Sequence, residues 1–83
     1  MNMLPRSLGI TVRRLREGQG WSQEYMAEMA DLNRSYVGEI ERGKAIASLI
    51  TLEKLALALG LSLSCLLAQC EQVRREQTEL ASL

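Results

Sequence analysis

Between Ser22 and Lys44 the chain reads SQEYMAEMADLNRSYVGEIERGK, two short amphipathic patterns separated by a break at ADLN. On a helical wheel drawn from Arg34 to Arg42, Val37, Ile40 and the stem of Glu41 share one side, and Ser35, Gly38, Glu39 and Arg42 share the other. Asn33 and Arg34 stand at the start of that second face. The outward side is thus small and polar, rich in groups that donate or accept hydrogen bonds. A glycine inside a helix costs about 1 kcal/mol relative to alanine, so Gly38 suggests a place where another backbone comes close. A DNA phosphate or base edge would fit there. An ordinary solvated face that happens to carry a glycine is the competing reading.

The elements that would hold these residues are helical, because apolar residues recur at three and four rather than at two. The expected fold class is all-α, with five helices. The first spans about Arg6 to Glu17, with Leu8, Val12 and Leu15 inward, and ends at EGQG, where Gly18 and Gly20 provide C-terminal chemistry. Ser22 caps the second and Asn33 the third. The fourth runs from about Ser48 to Leu59 and stops at Gly60, and Ser62 caps the fifth. Trp21 with Met26, Leu32 with Val37 and Leu61 with Leu66 are spaced as hydrophobic staples across three of these starts.

A chain of 83 residues that is 47% hydrophobic can build one modest core, and so small a domain often gains stability by oligomerising. The ten Lys/Arg balance the ten Asp/Glu, so any preference for a polyanion must come from charge distribution. Arg6, Arg13, Arg14 and Arg16 precede the first acid, whereas Glu71, Glu76 and Glu79 face only Arg74 and Arg75 in the tail. Cys65 and Cys70, five apart on a helix, are separated by about 7.5 Å along its axis, too far for an unstrained bridge. Both are expected as small buried apolar residues in a reducing cytoplasm. Glu53, Lys54 and Ser62 interrupt the longest apolar run, so no membrane span is expected. With no histidine, no metal-ligand cluster and no glycine-rich phosphate loop, neither catalysis nor a metal or cofactor has an obvious seat.

The stretches LGITVRRLREGQGWSQ, MADLNRSYVGEIERGK and SLITLEKLALALGLSLSCLL occur in an order that resembles the helix-turn-helix of the Cro and phage-repressor (Xre-like) family, over about Leu8 to Leu67. LNRSYVGEIERGK is most similar to controller proteins of restriction-modification systems. One departure is Asp31, where the family often has glycine; Asp tolerates the left-handed conformation better than most residues. The resemblance implies a compact five-helix lambda-repressor-like DNA-binding domain over residues 1–83, with the helix-turn-helix at about 22–42 and a C-terminal helical extension at about 68–83.

It also implies roles. Ser22 and Gln23 would meet a phosphate at the start of the second helix, and Arg34, with its planar fork, would bond O6 and N7 of a guanine. Ser35 and Glu39 are further candidates for base edges, Glu39 as an acceptor from cytosine N4. Asn33 would cap, contact DNA, or both. Tyr36 would place its hydroxyl on a phosphate or pack sideways, and Gly38 would admit the backbone. Arg42 and Lys44 read as phosphate clamps or as solvated charges. Arg16 and Glu41 match positions that form an ion pair in the family, so both are structural; Arg13 and Arg14 remain open between phosphate contact and solvent.

Leu52, Leu55, Ala56 and Leu59 suffice for the core face of the fourth helix, which leaves Ile50 and Leu57 over as an apolar pair for a partner. Leu63, Cys65 and Leu66 are their expected neighbours in a homodimer interface. Leu63, Leu66, Cys70, Val73, Gln77 and Leu80 form a short heptad seam that serves either a dimer or packing back on the domain. The expected function is sequence-specific transcriptional regulation by a homodimer on a palindromic operator in double-stranded DNA, as a restriction-modification controller or phage-type repressor. RNA polymerase is a further candidate partner. The alternative is an antitoxin of the same fold, a protein-interaction module that also binds its own promoter.

Overall fold

The computed structural model describes residues 3–82, with side chains through Glu79. Five helices follow in order: α1 (Leu4–Gly18), α2 (Gln23–Ala30), α3 (Arg34–Glu41), α4 (Leu49–Ala58) and α5 (Leu63–Ser82). No strand occurs among the described residues. Pro5 lies in the first turn of α1, where its missing N–H leaves nothing unpaired and its fixed φ suits a helix, so α1 starts earlier than its apolar period suggests. The other four starts are capped by side chains, those of Ser22, Asn33 and Ser62 as expected, and that of Ser48 at the start of α4. Ser22 Oγ accepts from the Tyr25 amide at 3.0 Å and Asn33 Oδ1 from the Ser35 amide at 2.8 Å. Ser48 Oγ accepts from Thr51, and Ser62 Oγ from Cys65, each at 3.1 Å.

The core lies where α1, α2, α3, α4 and the first half of α5 converge. Leu8, Val12, Met26, Val37, Ile40, Leu55, Leu66 and Cys70 form one buried cluster, against which Leu15, Trp21, Leu32, Leu52, Leu59 and Leu61 pack half-buried. The apolar residues that precede three of the caps thus sit on the core beside the helices they introduce, as the staple spacing predicts.

Two expectations about α5 need correction. Leu66 is fully buried in the protomer, because it faces the same core as Cys70 and Val73, and it is therefore not available to a dimer interface. Cys65, expected to be buried, is exposed, since the helical turn that sends Leu66 inward sends its neighbour out. Of the two roles left open for the seam, Leu66, Cys70 and Val73 take the second and pack back on the protomer. Burial pushes the Cys70 thiol above its ordinary value, with the hydroxyl of Thr11 on α1 opposing. Leu80, the last position of the expected seam, lies outside the described side chains. Farther out, Arg14 Nη1 of α1 meets Glu76 Oε2 of α5 at 3.2 Å.

The turn between α2 and α3 has the anticipated left-handed residue. Asp31 adopts φ 54°, ψ 51° as the C-cap of α2. Lys54 Nζ of α4 donates to the Asp31 carbonyl at 3.2 Å and stands 3.6 Å from its carboxylate. A residue that lacks the freedom of glycine is thereby held in place from a third helix.

Candidate nucleic-acid interface

The angle of α3 is set from behind by one polar cluster. Arg16 Nε donates to Glu41 Oε2 at 2.7 Å and Arg16 Nη2 to Glu41 Oε1 at 3.0 Å, a two-pronged pair linking α1 to the end of α3. Arg16 Nη1 also donates to the Trp21 carbonyl at 2.7 Å, which ties in the approach to α2. The pair is nearly dry, with side-chain exposures of 11% for Arg16 and 3% for Glu41. The Glu41 hydrogen bond is the largest influence holding the Arg16 guanidinium above its ordinary value, with desolvation opposing. Gln23 Nε2 completes the cluster by donating to Glu41 Oε1 at 3.1 Å. That bond joins the first residue of α2 to α3, and no spacing in the sequence announces it.

A close approach of backbones supports the cluster. A Cβ built on Gly9 would collide with the Ile40 carbonyl oxygen, lie 2.6 Å from the Glu41 carbonyl oxygen and 2.9 Å from its carbon. The absence of a side chain at Gly9 lets α1 lie against the end of α3. Gly38, the glycine singled out by sequence, has different surroundings: its nearest neighbours are the Arg42 guanidinium and the Gln23 amide oxygen, both side chains. Within the protein, the close approach of another backbone occurs at Gly9 and not at Gly38.

On the outer side, Gln23, Arg34, Ser35, Gly38, Glu39, Arg42 and Lys44 line one open depression. Arg34, Ser35, Glu39, Arg42 and Lys44 are exposed, and Gln23 is half-buried. Ser22 and Asn33 stand outside the depression as caps, with exposed side chains at the starts of α2 and α3. Tyr36 is half-buried against the core, which favours the sideways packing. Arg34, Arg42 and Lys44 form no hydrogen bond or ion pair through their side chains with the described residues, whereas Arg13 and Arg14 pair with Glu17 and Glu76. The free cations of the helix-turn-helix thus gather on one face, and the two ambiguous arginines of α1 have acidic partners within the protein.

A family model described as helix-turn-helix matches residues 12–64. The chain belongs to the helix-turn-helix family of Cro and phage repressors. Control protein C.MunI of a Mycoplasma species is 40% identical over 73 residues, which cover 87% of this chain and 99% of that protein. The immunity repressor protein of Bacillus phage phi105 is 36% identical over 76 residues, covering 92% of this chain and 53% of the repressor, so the chain spans about half the length of that relative. Among solved structures, the restriction-modification controller protein C.AhdI from Aeromonas hydrophila superposes with a TM-score of 0.72 at 42% identity, covering 75% of this chain and 94% of that one. SinR, a master regulator for biofilm formation solved in complex with DNA, superposes with a TM-score of 0.68 at 33% identity, covering 72% and 97%. By their names these relatives are regulators rather than enzymes.

Proposed function

We propose that this helix-turn-helix protein is a sequence-specific DNA-binding transcriptional regulator that inserts α3 into the major groove and binds a palindromic operator as a homodimer. The observation that carries this reading is the face of α3: unpaired Arg34, Arg42 and Lys44 lie beside Ser35 and Glu39 on the one side that the Arg16–Glu41 pair holds away from the core. A regulator of this kind works in the cytoplasm, where its operator is. The likeness to C.MunI and C.AhdI supports a restriction-modification controller, and the likeness to the phage protein supports a repressor. An endonuclease or methyltransferase gene beside it would favour the first, prophage genes the second, and a toxin gene the antitoxin alternative.

In this reading Arg34 supplies specificity. It is the first residue of α3, exposed, and its guanidinium can bond guanine twice. The test is footprinting on DNA upstream of the protein's own gene, followed by titration of the protected site. Arg34→Ala should weaken binding to that site by about 1–3 kcal/mol and flatten the preference at one position per half-site. Equal losses on cognate and random DNA would make Arg34 a phosphate contact, and a wild type without any protected site would overturn the assignment.

A further inference from the structure

Gly38 lies in the interior of α3, where a residue with a side chain would favour the helix, and it is buried. The atoms nearest to a Cβ placed there are Arg42 Nη1 at 3.1 Å, Gln23 Oε1 at 3.6 Å and Arg42 Cζ at 3.9 Å. Arg42 is the C-cap of α3, one turn beyond Gly38, so its side chain folds back along its own helix and covers the bare Cα. Its guanidinium arrives beside the amide of Gln23, whose other end is anchored on Glu41. An arginine at the end of a helix would ordinarily extend into solvent, and here no acidic partner draws it back.

We propose that Gly38 is a positioning residue: by leaving room over α3 it seats the Arg42 guanidinium in the depression beside the acceptor oxygen of Gln23, so that the guanidinium grips one DNA backbone phosphate near the start of α2. The proposal rests on the reading of α3 as the DNA-binding helix. It differs from the idea that the glycine makes room for DNA directly. A Cβ at position 38 would stand 3.1 Å from Arg42 Nη1, so the guanidinium must give way by a few tenths of an ångström and lose the alignment of its N–H groups on the phosphate beside the start of α2. The crowding atoms belong to the flexible end of Arg42, so alanine at 38 should leave the fold intact.

The test is a double-mutant cycle on operator affinity at fixed salt, using wild type, Gly38→Ala, Arg42→Ala and the double variant, with helicity and thermal midpoint measured alongside. The expected result is a Gly38→Ala protein that melts no lower than wild type and binds about tenfold more weakly, as for the loss of one charge-assisted hydrogen bond. Arg42→Ala should lose a similar factor, and the double variant no more than either single variant. Losses that multiply, or a Gly38→Ala variant that binds like wild type, would overturn the proposal while leaving the DNA-binding assignment untouched. A wild type that binds no duplex would overturn both. In the DNA-free protein, cross-relaxation between the Arg42 side chain and the Gly38 Hα protons should be visible by NMR, and its absence would overturn the seating of Arg42 independently of any DNA.

Discussion

At the scale of single residues, the buried pair behind α3 is the most exacting feature of the protein. Arg16 and Glu41 are 25 positions apart, and nothing in their spacing couples them. Their pairing was legible only through the resemblance to a family in which matching positions pair. The Gln23 bond to the same carboxylate and the collision that guards Gly9 were not legible at all, because each depends on atoms brought from a distant helix. Removing one member of a dry pair strands the other charge, which costs more than the pair itself contributes. Glu41→Ala should therefore destabilise the fold by about 3–5 kcal/mol in urea titration. Arg16→Met with Glu41→Leu should recover part of that loss, since neither charge is then left alone. A Glu41→Ala protein as stable as wild type would mean that water reaches Arg16 and the site is not dry.

At the scale of elements, the local signals were sufficient for the starts of α2 to α5 and insufficient for helix faces. Ser22, Asn33 and Ser62 each cap the helix that sequence assigned to them, because an N-cap needs only its own side chain and an amide two or three residues on. The burial of Leu66 and the exposure of Cys65 could not be read in this way. A seam of Leu66, Cys70 and Val73 fits a neighbouring protomer and the protomer's own α1 equally well, and only the packed fold shows that α1 is already there. The meeting of α1 and α3 yields the sharpest element-scale test. Gly9→Ala places a methyl group against the Ile40 and Glu41 carbonyls, atoms of helical backbone that cannot swing aside. It should destabilise the protein by about 1–3 kcal/mol despite alanine's better helix propensity, measured by thermal or urea unfolding. A stability equal to or above that of wild type would show that α1 can slide off α3 at no cost.

At the scale of the whole molecule, a chain with ten cations and ten anions has no net attraction for DNA, and one short recognition helix reads only a few base pairs. Selectivity in such a protein calls for two copies, set so that their α3 helices meet half-sites about 34 Å apart. The surface offers a place for the contact. Ile50 and Leu57 are each 70% exposed, and Leu49 and Ile46, at 71% and 87%, are further exposed apolar side chains on α4 and its lead-in. Ile50 and Leu57 stood out in the sequence as surplus to the core, whereas Leu49 and Ile46 did not, because a helical wheel cannot say how far the core reaches beyond the first turn of α4. Leu63 is half-buried and Cys65 exposed at the start of α5, which leaves both accessible to a second copy. Burying each aliphatic side chain would contribute about 1.5–3 kcal/mol toward the cost of association. Leu57→Glu should keep wild-type helicity, sediment as a monomer and bind the operator far more weakly, since the second reading helix is no longer held at the right spacing. Leu66→Glu is the control: with its side chain fully inside the protomer, it should unfold the protein rather than dissociate it. A Leu57→Glu protein that remains dimeric at tens of micromolar would place the twofold contact elsewhere, and a wild type that sediments as a monomer at that concentration would remove the dimer from the mechanism.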